Sequence, residues 1–448
     1  MTAPPLSHKR VVRIALPVVI SNATVPILGA VDTGVVGQMG EAAPIGAVGV
    51  GAIVITSAFW LFGFLRMGTT GMTAQAIGRD DTAEVRNLLF RTLGVSAVLG
   101  LALVLLQWPI IAMGLALSGG SDDVNRLAKD YMEVRIWSAP FVVATYAIFG
   151  WLVGHERTDG VLVLQLWING LNIALNFLFV LGFGWGVQGV AIASLIAEIS
   201  GFVFGLWLVR KAIGAPWPAW DHVFSGQKLK EIASLNSDIM IRSFVLMASF
   251  MSFTMLSSRF DDETLAANQI LIQFLHISAY GLDGFAFAAE TLVGQATGAR
   301  NRTRLRRAVY VTSLWGMVVA TTVALVFLLG GWPFITLMTT SETIQLVAWA
   351  YLPWMIAAPF LGGPSWMLDG IFIGATRGKD MRNMMIVAAA IYAASVALLM
   401  PVYGNHGLWA ALLIFFVARG VTLALRYPAL ERDLTDTESV SKGSEARS

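Results

Sequence analysis

The sequence predicts an all-α integral membrane protein with twelve transmembrane helices in two six-helix lobes, related by a pseudo-twofold axis along the membrane normal. Its composition, its twelve long apolar stretches and an internal sequence repeat lead to this prediction. Of 448 residues, 56% are hydrophobic and 13% are charged. In a soluble domain roughly a quarter of the residues are charged. The chain has no cysteine, which excludes disulfides, thiolate nucleophiles and cysteine-ligated metals.

The apolar stretches define the predicted spans, since a helix needs about 20 apolar residues to cross a bilayer. The spans are predicted at 12–39, 45–77, 88–117, 128–154, 160–182, 187–211, 235–258, 265–297, 305–330, 343–373, 381–400 and 406–428. The first run exceeds the roughly 7–15 residues of a signal-peptide core, so we expect an uncleaved span. The predicted domains are an N-lobe at 1–211, a cytoplasmic linker at 212–233, a C-lobe at 234–430 and a disordered cytoplasmic tail at 431–448.

Lysine and arginine are distributed unequally between the two sides of these spans. One set of helix ends carries most of the basic residues, and the opposite loops carry only Arg126, Lys129 and Arg259. Basic residues concentrate on the cytoplasmic side of membrane proteins. We therefore expect both termini to be cytoplasmic, in agreement with an even number of spans.

The two halves of the chain repeat at a spacing of about 220 residues. "GMTAQAIGRDD" at 71–81 is similar to "TLVGQATGARN" at 291–301, and "GWLVGHERTDG" at 150–160 is similar to "GIFIGATRGKD" at 370–380. Six spans separate the copies, so both halves have the same orientation in the membrane. Transporters are commonly built from such repeats, with the pathway between them.

Span 1 contains an acid and two prolines within an otherwise apolar run. An intramembrane acid is costly and usually functional, and Asp32 lies toward the outer half of the span. An apolar setting favours the neutral form of a carboxylate, as a proton carrier requires. Pro17 and Pro26 each remove a helical hydrogen bond, so we predict hinges at both. The alternative is a structural Asp32, paired with an arginine or bonded to neighbouring hydroxyls.

The other polar residues in the spans each have two possible roles. Asn169, Asn172 and Asn176 lie at i, i+3 and i+7 of span 5, hence on one helical face; they line a pathway or hold helices together. Asp283 and Glu290, seven residues apart in span 8, line a cavity or bond to neighbouring helices.

Arg242, early in span 7, is either an interfacial anchor or a charge partner that reaches Asp32. The phosphate-loop pattern of ATPases does not occur. The five histidines are scattered, which argues against a metal site, and no catalytic triad can be assigned.

Several stretches together resemble the multidrug and toxic compound extrusion (MATE) transporters, in particular the DinF (DNA-damage-inducible protein F) branch. They are "VDTGVVGQMG", "FLRMGTTGMTAQAIGRDD", "NIALNFLFVLGFGWGVQGVAIASLIAE", "LDGFAFAAETLVGQATGAR" and "DGIFIGATRGKDMRNMM". The resemblance covers nearly the whole chain. It implies two lobes forming a V around a cavity that opens to each side in turn. It also implies export of organic, often cationic compounds driven by inward H⁺ or Na⁺.

The resemblance also implies roles for individual residues. It makes Asp32 the ion-coupling carboxylate and places a bend of span 1 at Pro17. The polar pathway set that it implies is Tyr131, Asn172, Asn176 and Ser194. Tyr131 could instead be an interfacial aromatic anchor, and Ser194 an ordinary small residue at a helix contact. Relatives commonly carry aspartate where this chain has Asn176, which weakens the case for a Na⁺ site and favours H⁺.

The sequence therefore predicts a secondary active multidrug efflux antiporter of a bacterial cytoplasmic membrane, and not an enzyme. We expect no cofactor and no metal, with H⁺, or Na⁺, as the coupling ion. The expected partners are the lipid bilayer and small organic substrates, without nucleic acid, for a monomeric chain. An alternative is a flippase for lipid-linked precursors from the related superfamily, although the spans contain few basic residues to bind a pyrophosphate. A lipid-modifying membrane enzyme is a third class, but the clustered acids or nucleophile–base pair that it needs are not found.

Overall fold

The computed structural model describes residues 6–213 and 220–445, and these residues form helices and no strand. The α-helices are α1 His8–Ala23, α2 Val25–Gly37, α3 Ala42–Trp60, α4 Phe64–Gly78, α5 Thr82–Leu105, α6 Gln107–Ser118, α7 Asp122–Arg135, α8 Ala139–Gly154, α9 Thr158–Asn176, α10 Gly186–Leu208, α11 Arg210–Ile213, α12 Trp220–Val223, α13 Gly226–Ser257, α14 Asp262–Gly298, α15 Arg302–Met338, α16 Glu342–Gly374 and α17 Gly378–Glu445. Short 3₁₀ turns join α3 to α4 and α7 to α8, and a π-helical segment, Phe177–Gly182, follows α9.

Eleven helical segments within the described residues are long and apolar enough to cross a membrane. The last of them, Gly378–Leu434, contains both predicted spans 11 and 12. The backbone is not helical at Gly404, where φ is 56° and ψ is −131°. A positive φ is accessible to glycine at little cost, so this kink separates the two predicted spans. The all-α, multi-pass membrane fold is confirmed.

The chain forms two compact units. The first unit contains Ile20–Thr73 and Asp81–Ile232, and the second contains the described residues up to Val19, Ala74–Asp80 and the described chain from Ala233 onward. The predicted lobes divide the chain only at the linker, at 211 and 234. The units thus differ from the predicted lobes in the placement of two short segments, the beginning of α1 and the end of α4.

Contacts within the second unit account for the placement of these segments. Arg10 donates a hydrogen bond to the side-chain oxygen of Gln295, at 2.8 Å. Gln75 donates to the carbonyl of Gly374 and to the hydroxyl of Thr376, both at 3.0 Å. A Cβ atom on Gly284 would lie 2.6 Å from the carbonyl oxygen of Ala15. Glycine at this position therefore permits α1 and α14 to pack backbone against backbone.

The described part of the predicted linker packs on the first unit. Residues 214–219 lie outside the described residues, and α12 follows them. The buried side chain of Arg91 in α5 donates to the carbonyl oxygens of His222 and Val223, and the His222 bond measures 3.1 Å. These bonds satisfy carbonyl groups at the end of a very short helix. The polar connection is thereby attached to α5.

The repeated glycines mark equivalent helix crossings in the two units. Gly150 of α8 packs against the carbonyl oxygen of Arg66 in α4, and Gly370 of α16 packs against that of Ala286 in α14. Both partners in one crossing are 220 residues from their counterparts in the other. Small residues permit such close approach of membrane helices. The repeat seen in the sequence therefore corresponds to a repeated backbone contact.

The helix ends repeat as well, in an unusual backbone conformation. Asp80 and Arg300 have φ values of 58° and 50°, and Glu156 and Thr376 have values of 60° and 55°. Each pair is again 220 residues apart. A non-glycine residue rarely adopts positive φ, so two pairs at the same spacing show that the helix-ending turns are equivalent.

The start of the predicted tail is attached to α15. The helix α17 is described as far as Glu445, and residues 446–448 lie outside the described residues; disorder of the tail stays a prediction. Glu431 is buried and accepts hydrogen bonds from Arg302, at 3.0 Å, and from Arg306, at 2.8 Å, both in α15. This ion-pair cluster holds the helix in a region whose composition alone favours disorder.

Candidate functional site

The first span is divided into α1 and α2 at Thr24. Pro26 lies in the first turn of α2, where its missing N–H leaves the preceding helix without a continuing hydrogen bond. Pro17 lies inside α1, and the helix continues through it. The break is thus located beside Pro26, whereas the resemblance implied a bend at Pro17. The hydroxyl of Thr24 donates to the carbonyl of Ser21, at 2.7 Å.

A chain of side-chain hydrogen bonds begins at Asp32 and crosses three helices. The Nδ2 of Asn176 donates to the Oδ1 of Asp32, at 2.5 Å, and to the Oδ1 of Asn172, at 2.8 Å. The Nδ2 of Asn172 donates in turn to the Oγ of Ser194, also at 2.8 Å. Asn172, Asn176 and Ser194 are buried. The structure therefore brings together four of the predicted residues, from α2, α9 and α10.

Asn169 connects the same face of α9 to the break in the first span. Its Nδ2 donates to the hydroxyl of Thr24, at 2.8 Å, while its Oδ1 accepts from Gln165, at 3.0 Å. The three asparagines thus contact neighbouring helices through their side chains. Asn169 bonds α9 to the residue at the α1–α2 break.

A buried ion pair lies near this chain. The guanidinium of Arg135 in α7 donates two hydrogen bonds to Glu198 in α10, and the bond from Nη2 to Oε1 measures 2.9 Å. Arg135 also donates to the hydroxyl of Ser138, at 3.1 Å. Both charges act electrostatically on Asp32. Arg135 forms its ion pair with Glu198, so Asp32 has the neutral donor Asn176 as its hydrogen-bond partner and forms no ion pair among the described residues.

Arg135 and Glu198 are not among the site residues that the sequence predicts. Their opposite signs, in spans 4 and 6 of the same predicted lobe, were the available signal. A lone charge in a span is expensive, so charges of opposite sign tend to pair. Which helices cross near each other decides the pairing, and that information is tertiary.

Tyr131 lies one helical turn before Arg135 and interacts with it. Its ring is almost fully buried against α3, where a Cβ atom on Gly51 would lie 2.5 Å from the ring. This placement is inside the first unit rather than at an exposed interface. A pathway role for Tyr131 stays a prediction.

The predicted residues of the second unit are arranged differently. Glu290 is buried and Asp283 is half-buried, both in α14, and their predicted cavity role stays a prediction. Arg242 donates to the carboxylate of Asp369 in α16. The predicted role of Arg242 as a charge partner of Asp32 is therefore not supported, because its charge is engaged by an acid of its own unit.

The family model described as MatE matches residues 17–178 and 239–399, one segment in each half. The chain belongs to the MatE family. It is 39% identical over 426 residues to DNA damage-inducible protein F of Escherichia coli (strain K12), covering 93% of this chain and 91% of the relative. It is 26% identical over 449 residues to a probable multidrug resistance protein NorM of Xanthomonas campestris pv. campestris, covering 94% of each.

Solved structures of this family have the same fold. A MATE crystal structure in the bent conformation gives a TM-score of 0.86 at 18% identity, covering 96% of this chain and 97% of that one. A MOP superfamily transporter from Pyrococcus furiosus gives a TM-score of 0.85 at 19% identity, covering 96% of each. The predicted resemblance is confirmed. Family and fold point to a multidrug and toxic compound transporter rather than an enzyme.

In this MatE chain, the site offers one carboxylate within a network of neutral amides and hydroxyls. Asparagine can serve as donor and acceptor at once, so the bonds of Asn172 and Asn176 can be rearranged when the state of Asp32 changes. The Oδ1 of Asn176 is buried and has no hydrogen-bond partner among the described residues. Carboxylate and amide oxygens also bind hard cations. Of the oxygen atoms in this network that could bind a cation, only those of Asp32 belong to a charged group.

Proposed function

We propose that this protein is a secondary active antiporter that exports organic, often cationic compounds in exchange for inward H⁺, by alternating access. The observation that carries this proposal is the state of Asp32: it is hydrogen-bonded to the neutral Asn176, beside an Arg135–Glu198 pair that is already balanced. A half-buried carboxylate in an apolar span that forms no ion pair is costly in its charged form. Protonation removes that cost, so Asp32 is suited to take up and release a proton.

The proposed coupling follows the hydrogen bonds outward from Asp32. In its charged form the carboxylate is a strong acceptor for Asn176, which positions Asn172 and Ser194. Protonation weakens this bond and gives Asp32 a donor of its own. The amides then rearrange, and Asn169 carries the change to Thr24 at the α1–α2 break. The position of α2, and with it the affinity for substrate, would depend on the proton.

The family supports the proposed class of substrate and the direction of transport. Related proteins carry the descriptions probable multidrug resistance protein and multidrug export protein. We further propose that both termini are cytoplasmic, on the basis of the basic helix ends. We also propose that the protein is a monomer in a bacterial cytoplasmic membrane. Na⁺ is the alternative coupling ion. With asparagine at position 176, the network has one carboxylate, which favours H⁺.

The test is export of a cationic dye such as ethidium from proteoliposomes under an imposed pH gradient, without Na⁺. Wild type is compared with Asp32→Asn, which keeps the shape of the side chain and removes its titration. Asp123→Asn, which makes the same chemical change at an exposed position of the same unit, is the control, and Asp283→Asn tests the rival acid of the second unit. We expect wild type and the control to export dye. In Asp32→Asn the export rate should fall at least about tenfold, which corresponds to a loss of roughly 1.4 kcal/mol of coupling free energy.

Three results would contradict the proposal. Equal export by wild type and Asp32→Asn would show that Asp32 is structural. Loss of export in Asp283→Asn alone would move the coupling acid to α14. Export that begins only when Na⁺ is added would show that the coupling ion is Na⁺. Thermal unfolding of each variant shows that a loss of export does not come from a loss of fold.

A further inference from the structure

A second charged cluster lies in the second unit, at the crossing of three helices. The Oδ2 of Asp369 in α16 accepts hydrogen bonds from Arg242 in α13 and from Arg419 in α17, the latter at 2.6 Å. The exposed fractions of these three residues are 5%, 5% and 2%. All three are thus withdrawn from solvent, and the two guanidinium groups share one oxygen of one carboxylate.

The charges in this cluster do not balance. Arginine remains protonated in proteins, so two positive charges face one negative charge. Among the described residues, no other acid forms an ion pair with Arg242 or Arg419. The rings of Phe415 and Phe416 lie 5.5 and 6.0 Å from the guanidinium of Arg419. Such cation–π contacts are weaker than a counterion.

Hydrogen bonding in the cluster is also incomplete. The Nε atoms of Arg242 and Arg419 and the Oδ1 of Asp369 are buried without partners in the described part of the chain. Most buried polar atoms in proteins have a partner. The Arg135–Glu198 pair of the first unit has one charge of each sign. Arg135 also has a buried Nε without a partner among the described residues, so the second cluster differs from that pair by its one excess positive charge.

We propose that Arg242 and Arg419 form a binding site for a singly charged anion, either chloride or the carboxylate of an organic compound. One negative charge balances the excess of one, whereas a pyrophosphate would leave an excess of negative charge. Each unused Nε–H can donate to the anion. Asp369 lies five residues before Gly374, the end of α16, which is about 7.5 Å along the helix. The cluster therefore lies within the last turns of α16. This inference concerns anion binding and does not depend on the proposed proton coupling.

The test measures the unfolding temperature of the purified protein in detergent, with sodium sulfate keeping the ionic strength constant. Chloride and benzoate are titrated separately, in wild type and in Arg419→Gln. In wild type we expect a saturable rise of roughly 1–2 °C at about ten times the dissociation constant. Arg419→Gln leaves a balanced pair of Arg242 and Asp369, so it should fold and lose the response. Arg126→Gln, at an exposed position, should keep the response.

The two anions distinguish the source of the ligand. A response to chloride identifies a free halide site, and a response to benzoate alone identifies a site for an organic carboxylate. No response to either anion, or the same response in Arg419→Gln as in wild type, would overturn the proposal.

Asp369→Asn gives a second, independent test. It leaves two arginines without any acid, so its unfolding temperature should depend on the anion more strongly than that of wild type. A weaker dependence would contradict the proposal. If a variant does not fold, the line width of the chloride NMR signal with wild-type protein decides the matter. Broadening that bromide or benzoate reverses supports the site, and a chloride signal that the protein does not broaden, or a broadening that neither anion reverses, rules it out.

Discussion

The helix crossing at Gly370 gives a prediction whose size can be worked from the structure. In Gly370→Ala, the new Cβ atom would lie 2.5 Å from the carbonyl oxygen of Ala286 and 3.1 Å from its carbonyl carbon and Cα. The first distance is about 0.9 Å short of the 3.4 Å at which ordinary contact begins. The neighbouring atoms are backbone, so no side chain can rotate away. The helices α14 and α16 must separate, and overpacking of this kind costs about 1–3 kcal/mol.

Gly330→Ala is the matched control. Gly330 lies within α15, and a Cβ atom there would meet nothing within 4 Å. Because alanine favours the helix over glycine by roughly 0.5–1 kcal/mol, we expect this variant to be slightly more stable than wild type. Gly370→Ala has the same gain in helix preference, but the steric overlap with α14 destabilises it by more. This variant should be less stable than wild type by about 1–2 kcal/mol.

The assay is unfolding by sodium dodecyl sulfate in mixed micelles, followed by circular dichroism, with the free energy compared among the three proteins. The equivalent substitution Gly150→Ala tests whether the two units respond alike, since Gly150 meets the carbonyl oxygen of Arg66 in the same way. If Gly370→Ala were as stable as Gly330→Ala, the backbone contact between α14 and α16 would not be as close as described, and the explanation of the repeated glycines would be refuted.

Three further predictions concern the network, the ion pair and the turns. Asn176→Asp places a second carboxylate against Asp32, and two adjacent carboxylates resist ionising together. The pH dependence of dye export should therefore shift to higher pH, and an unchanged profile would argue against coupling through this network. Glu198→Gln leaves Arg135 as an uncompensated buried charge and should lower the free energy of unfolding by about 3–5 kcal/mol, with much of the loss recovered in the double variant that also carries Arg135→Gln. Arg300→Gly relieves a positive φ and should raise stability by about 0.5–1 kcal/mol, whereas Arg304→Gly, inside α15, should lower it by a similar amount, as thermal unfolding of both variants would show.

The sequence predicts the fold because its signals are local or periodic. Long apolar runs specify the spans, and a glycine pattern that recurs after 220 residues specifies equivalent crossings. The position of the helix break in span 1 depends on more than the presence of proline. Pro17 lies within α1, whereas Pro26 lies at the start of α2, and composition does not distinguish the two. The predicted tail begins at Glu431, and local composition gives no sign that this residue is bonded to arginines more than 120 residues earlier in the chain.

The candidate site was predictable where one helix provides the residues. The spacing of Asn169, Asn172 and Asn176 places them on one face of α9, and the resemblance adds Asp32. Partners on different helices were not predictable. Arg242 was considered for Asp32 because both are rare charges in apolar spans, but it is bonded to Asp369, 127 residues later in the chain. Such a pairing depends on helix crossings, about which sequence spacing gives no information.

Charge balance explains why these intramembrane charges differ in what they can do. The Arg135–Glu198 pair is neutral and bidentate, so adding or removing a proton or an ion would leave a buried charge uncompensated, and the pair resists change. Asp32 has no counterion in the described chain, and its neutral form is the less costly one in an apolar environment. Arg242 and Arg419 exceed their single carboxylate by one charge. An unbalanced group can lower its free energy by taking up a mobile ion, a proton for Asp32 and an anion for the arginines. The same physical rule thus favours a structural role for the balanced pair and is the reason why a ligand is proposed for each of the other two.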